Sequence, residues 1–123
     1  MTLKETKSAT VKVTSDNCAS SMGSGSLNVF ATPAMVALME QAACKVINPS
    51  LSEKETSVGT KLDIVHIKAS PIGETIEATA TLTSIDGRKL TFEVIAKDSK
   101  GIIGKGIHER VIVTTEKFLS KLL

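Results

Sequence analysis

No part of this chain limits its fold as tightly as the stretch Ala31-Thr32-Pro33-Ala34-Met35-Val36-Ala37-Leu38-Met39-Glu40-Gln41-Ala42-Ala43-Cys44-Lys45-Val46-Ile47. It is the one long helical pattern, about four turns at about 3.6 residues each. Thr32 is suited to cap it, since a hydroxyl can accept from an orphan amide of the first turn. Pro33 then falls at the first helical position, where its missing N–H is harmless and its fixed φ suits a helix. Met35, Leu38, Met39, Ala42, Ala43, Val46 and Ile47 recur with helical period. Val36, Ala37 and Cys44 make much of the other side apolar too, so the helix is expected to be wrapped by other structure. Inside this apolar element stands one carboxylate, Glu40.

Around the helix the pattern changes from helical to alternating. A short strand is expected at Ala9 to Val13. Thr14 to Asn28 holds Asp16-Asn17, Ser20-Ser21 and Gly23-Ser24-Gly25-Ser26, which is loop chemistry. That loop is either a plain connection or a cover over the helix start, because long loops without a function are uncommon. Asn48-Pro49 ends the helix, and Ser50 to Thr56 is a polar crossover. Beyond it, Leu62, Ile64 and His66 share one face of a strand, with Val65 and Ile67 on the other. After the turn Pro71-Ile72-Gly73, Ile76, Ala78, Ala80 and Leu82 face one way and Glu77, Thr79, Thr81 and Thr83 the other. Asp86-Gly87 is a hairpin signal. The returning strand alternates again, with Leu90, Phe92, Val94 and Ala96 inward. Ile102 to Thr114 makes a last strand in which Gly104 and Gly106 predict a bulge or a close backbone approach. No helix follows Gly104-Lys105-Gly106, so it is not a phosphate loop. Thr115 to Leu123 is a short terminal helix or a frayed tail.

One strand, a long apolar helix and about four antiparallel strands define an α+β chain. A lone hydrophobic helix is buried only if the sheet curls around it. The expected architecture is therefore a hotdog fold, a single domain over residues 1–123, with a curled sheet of about five strands around Thr32 to Ile47.

Composition excludes several functions. The net charge of +2 arises from 15 scattered basic residues, and aromatic residues make up only 2%. Without stacking platforms or a basic cluster, nucleic acid is not an expected partner. Met1 to Ser15 has no apolar targeting core, and no apolar run approaches a membrane span, so no membrane association is expected. Cys18 and Cys44 form no metal or redox spacing and fit reduced thiols in a cytoplasm. Cys44 is expected as a small core residue. With two histidines and no cysteine pair, no metal site is expected, and no nucleophile elbow is present.

Glu40 lies about 100° around the helix from Gln41 and about 140° from Lys45, so it need not share their wet face. It is either a helix-edge ion pair to a strand or a catalytic carboxylate. His66 is either a satisfied core histidine or a catalytic imidazole. His108, beside Glu109 and Arg110, is accounted for by a surface or interface charge network.

At Ala31-Thr32-Pro33, Leu38-Met39-Glu40, Gly59-Thr60, His66-Ile67 and Gly106-Ile107-His108-Glu109-Arg110 the chain resembles the fluoroacetyl-CoA thioesterase-type family of hotdog proteins. The motifs recur in order and with matching spacing from about Val29 to Val113. The resemblance implies a homodimer that hydrolyses a small acyl-CoA thioester, with coenzyme A entering only as part of the substrate and no other cofactor. It places the catalytic hydroxyl, carboxylate and imidazole on Thr32, Glu40 and His66. It places the glycine beside the substrate carbonyl on Gly59 and a basic pocket residue on Arg110. Fluoroacetyl-specific members carry phenylalanines in a lid before the helix, whereas this chain has Ser20 to Ser26 there and Phe30 as the nearest aromatic. Thioester hydrolysis is thus implied without selectivity for a fluorinated acyl group. The rival on the same fold is a non-catalytic acyl-CoA or acyl-chain binding module. A hotdog hydratase would need an Asp/His pair after the helix start, which is missing.

Thr32 and Glu40 stand eight residues apart, about 12 Å along a helix at about 1.5 Å per residue. Two short side chains do not easily meet across that distance within one subunit. A two-fold dimer with antiparallel helices brings one helix start near the middle of the other, so active sites shared between subunits are expected.

Overall fold

Five antiparallel strands form one sheet in the computed structural model, which describes residues 1–123. They are β1 (Thr6–Lys12), β2 (Glu55–His66), β3 (Thr75–Asp86), β4 (Lys89–Asp98) and β5 (Gly101–Thr114), in the spatial order β1-β3-β4-β5-β2. Three helices accompany them: α1 (Ala19–Met22), α2 (Thr32–Ile47) and α3 (Thr115–Ser120). Helix α2 lies in the concave face, chiefly against β1 and β3, with fewer contacts to β2 and β4. This is the hotdog arrangement.

The alternating rows explain the curl. Ile76, Ala78, Ala80 and Leu82 of β3 and Leu90, Phe92, Val94 and Ala96 of β4 are all fully buried. Register pairs Ala78 with Ala96, Ala80 with Val94 and Leu82 with Phe92, so the two rows form one apolar floor. Met35, Leu38, Met39, Ala42, Ala43, Val46 and Ile47 of α2 close onto it. Small alanines in the floor let the helix sit close, as close-packed interiors require. Gly87 turns the β3–β4 hairpin at φ +61, a left-handed conformation that glycine adopts without strain. In β5, a Cβ on Gly106 would collide with the Asp63 carbonyl oxygen of β2, and one on Gly104 would lie 2.5 Å from the Met35 sulfur. Both glycines thus mark the close approach their spacing predicted.

Three sequence-based expectations change. Thr32 is not the cap of α2; Ala31 holds that position without a side-chain cap bond, and Thr32 is the first helical residue. The helix is not wrapped on all sides, because Val36 and Cys44 are only half-buried and Ala37 is exposed. Cys44 is therefore not a core residue; Cys18 is the fully buried thiol. The reason is the spatial order of the strands. With β2 at the far edge of the sheet, α2 meets it only sparsely, and that side of the helix is left partly covered. No helix is long and apolar enough to cross a membrane.

Candidate functional site

The start of α2 and the end of β2 bring Thr32 and His66 together. Freed from capping, the Thr32 hydroxyl lies 2.8 Å from His66 Nδ1. The pair lines a cavity of about 420 Å³, whose cover is Ser24 to Leu27 together with Ala19 and whose far wall includes Phe30 and Lys68. The Thr14–Asn28 segment is thus a cover over the helix start. Its own hydrogen bonds hold it: Ala19 N donates to the Val29 carbonyl and Ser20 N to the Leu27 carbonyl. His66 is half-buried, and its Nε2 is enclosed with no hydrogen-bond partner. Burial lowers the His66 pKa from its ordinary value, with the Lys68 backbone pulling the other way. The imidazole is therefore neutral at pH 7. A buried ring nitrogen without a partner is uncommon enough to need a reason.

Glu40 projects from the middle of α2 toward β2 and β5. Its Oε2 accepts from Arg110 Nη1 at 3.0 Å, while no protein donor reaches Oε1. A Cβ on Gly59 would lie 2.5 Å from Oε2 and 3.2 Å from Arg110 Nη1. Only glycine leaves that space, and it sits where the β2–β5 register shifts between Gly59 and Lys61. A bulge of this kind re-aims the backbone beside a site. Glu40 keeps about a third of its side chain exposed, in a cavity of about 510 Å³ along Ala37, Gln41, Cys44 and Lys45.

Arg110 is nearly buried. Its Nε donates to Ser57 Oγ and its Nη2 to the Ser57 carbonyl, both at 3.0 Å, and Nη1 also lies 3.3 Å from His108 Nε2. Four of the five donors of the fork are occupied inside the protein, which leaves Arg110 behind Glu40 rather than out in solvent.

Within one chain the five residues form two groups. Thr32 and His66 are bonded at one cavity; Glu40, Gly59 and Arg110 meet at another. Sequence reasoning missed Ser57, and of the surface or interface network expected for His108 the surface form is ruled out, because the ring is fully buried within the chain. The signal was present: Gly104, Gly106, His108 and Arg110 alternate onto the face of β5 that continues the apolar floor.

Residues 13–116 match the family described as fluoroacetyl-CoA-specific thioesterase. The chain is 44% identical over 94 residues to the fluoroacetyl-CoA thioesterase of Streptantibioticus cattleyicolor, covering 76% of this chain and 68% of that one. A solved structure of the fluoroacetyl-CoA thioesterase FlK superposes with a TM-score of 0.94 at 34% identity, covering 99% of this chain and 95% of that one. A mutant of FlK solved with fluoroacetate and CoA superposes with a TM-score of 0.91 at 35% identity, covering 96% and 99%.

Proposed function

The chain belongs to the fluoroacetyl-CoA-specific thioesterase family, and from that premise we propose that it hydrolyses a small acyl-CoA thioester with Thr32, Glu40 and His66 as its working groups. The observation that carries this reading is the setting of Glu40. One carboxylate oxygen is held by Arg110, and the other is free at an accessible cavity. Glu40 either attacks the thioester carbonyl, giving an acyl-enzyme anhydride that water then cleaves, or deprotonates a water that attacks directly. In both routes the C–S bond breaks, coenzyme A leaves as the thiol and the acyl group leaves as a carboxylic acid. Both need a carboxylate fixed in place with one oxygen exposed. Gly59 leaves room for the substrate carbonyl beside it, and backbone amides near Gly59 or the start of α2 would receive the developing oxyanion. Thr32, oriented by His66, hydrogen-bonds the substrate. Arg110 acts on Glu40 and not on the phosphates of coenzyme A.

In this reading the active unit is a homodimer with shared sites, the Thr32–His66 pair of one subunit facing Glu40 of the other. Support comes from the separation of the two groups within one chain, from the half-covered side of α2, and from the unpaired edge of β2, where Val65 and, just past the strand, Ile67 are exposed. The serine- and glycine-rich cover carries no demand for a fluorinated acyl group. Two free thiols fit a reducing cytoplasm.

The test is thiol release from a panel of acetyl-, isobutyryl- and benzoyl-CoA. Wild-type protein should release coenzyme A from at least one, Glu40→Gln should lose about 10²–10⁴-fold in kcat, and His66→Ala should also fall. Binding without release from any of them would make the protein an acyl-CoA binding module instead.

A further inference from the structure

His108 lies two residues before Arg110 on the same inner face of β5, fully enclosed. Its two ring nitrogens have different partners. Nδ1 is 2.9 Å from the Lys61 carbonyl oxygen on β2. A carbonyl only accepts, so Nδ1 carries the proton. Nε2 therefore bears a lone pair, and 3.3 Å from it stands Arg110 Nη1, which only donates. The second proton of that same nitrogen goes to Glu40 Oε2. A single line of hydrogen bonds thus runs from the β2 backbone through the imidazole and the guanidinium to the carboxylate.

We infer that His108 is a positioning residue for hydrolysis: its Nε2 fixes the Arg110 guanidinium that aims Glu40. This rests on Glu40 being the working carboxylate, as proposed above. The other Arg110 contacts explain why a third anchor matters. Ser57 holds Nε and Nη2, which fixes the base of the fork, while Nη1 is shared between Glu40 and His108. Without an acceptor at His108, one Nη1 proton points into a buried space with no partner, and the guanidinium turns to offer both protons to Glu40. The carboxylate then shifts toward Arg110 and away from the cavity.

The device works only with a neutral imidazole. A proton on Nε2 would set an N–H against an N–H and one cation beside another. The groups acting on His108 are Arg110 on the same face of β5, Glu109 beside it on the opposite face, Glu40 from α2 and the Lys61 carbonyl from β2, while β4 supplies only the uncharged Phe92 ring, centroid at 6.2 Å. Burial lowers the His108 pKa most; the Lys61 carbonyl raises it, Arg110 lowers it, and Glu40 and Glu109 raise it, with a net lowering. His108 thus remains in its working form at neutral pH and fails only as acid protonates it.

Two amide substitutions separate positioning from mere support. His108→Gln sets its carbonyl oxygen near the place of Nε2 and can still accept from Arg110. His108→Asn sets its amide near the place of Nδ1, so it can still donate to the Lys61 carbonyl but leaves Arg110 unpartnered. On the panel thioester released fastest, kcat for His108→Asn should fall by at least about tenfold with KM little changed, the scale of one charge-assisted hydrogen bond. His108→Gln should keep kcat within about threefold of wild type, well inside that scale, and hold its activity further into acid because position 108 no longer titrates. Equal kcat for the two variants, with the acid limb of wild type unchanged in both, would overturn the inference. If neither variant folds, nitrogen NMR of wild-type His108 decides: a proton on Nδ1 and a bare Nε2 at pH 7 are expected, and a protonated Nε2 overturns it. Glu40→Gln assayed alongside keeps the two ideas apart. Full turnover in that variant removes the role of Glu40 itself, whereas its loss beside an unaffected His108→Asn removes only the role of His108.

Discussion

Gly59 has no side chain, yet the carboxylate depends on it. A methyl group there would meet Glu40 Oε2 at 2.5 Å and Arg110 Nη1 at 3.2 Å, both at the ends of flexible side chains. The fold can accommodate such a change by moving Glu40, and that movement is what hydrolysis should not tolerate. Gly59→Ala is expected to lower kcat by about 10–10²-fold, the scale of an ångström-level misplacement of a reacting group, while the melting temperature barely moves. Unchanged kcat with an unchanged melt would mean that the position of Glu40 is not critical. At this scale Glu40 was legible as a charge in an apolar helix, and Thr32 and His66 as motif residues. His108 was not, because adjacency to Glu109 and Arg110 in sequence resembles a wet charge cluster. Alternation along β5 sends Glu109 to one face and His108 with Arg110 to the other.

Elements were more legible than residues. The inward rows of β3 and β4 are the residues that alternation selected, since burying one face of a sheet is a local, period-two property. The helix start differs from what capping chemistry at Thr32 predicts. Ala31 takes the cap position in a buried, extended conformation, and tertiary contact with His66 claims the hydroxyl. A second polar knot, between the end of β4 and the segment after β2, had no sequence signal. Asp98 accepts from Ser70 Oγ at 2.9 Å, from Lys68 Nζ at 3.2 Å and from the Lys100 amide at 2.8 Å, with its side chain buried. Burial alone would raise its pKa, but these donors together bring it below the ordinary value. Asp98→Ala leaves the buried Ser70 hydroxyl without that acceptor, a loss of about 1–3 kcal/mol. The urea midpoint should fall accordingly at unchanged m-value, and an unchanged midpoint would show that the knot contributes nothing.

For the whole molecule, the proposed sharing of sites makes a sharp prediction. Chains carrying Thr32→Ala and chains carrying Glu40→Gln are each expected to be inactive, but a mixed dimer pairs an intact Thr32 with an intact Glu40 at one of its two sites. Random mixing of a two-fold dimer should therefore restore about a quarter of wild-type activity; no recovery after unfolding and refolding the mixture would place each site within one chain. Acid should act on the whole fold as well. His66 and His108 both have pKa values lowered in the folded chain. From about 6.5, the unfolded value, down to each folded value, the unfolded chain binds more protons than the folded one, so stability falls as pH falls. That contribution is fully present above the window. The lowered pKa of Asp98 adds a further loss below about 3.9. Melting at pH 7.5 and pH 5.5 should show the drop, reduced in His108→Gln; equal melting temperatures would contradict it.

The buried helix with its awkward carboxylate, the curled sheet and its inward rows were all determined by the order of residues along the chain, because periodicity and turn chemistry are local properties. The partners of the carboxylate were not. Glu40 and Arg110 are 70 residues apart, and Thr32 and His66 are 34 apart. Only the strand order β1-β3-β4-β5-β2, which lays β5 and β2 beside the open flank of α2, decides which side chains meet. The same order leaves that flank only partly covered, so the helix expected to be wrapped by its own chain ends with one side turned outward.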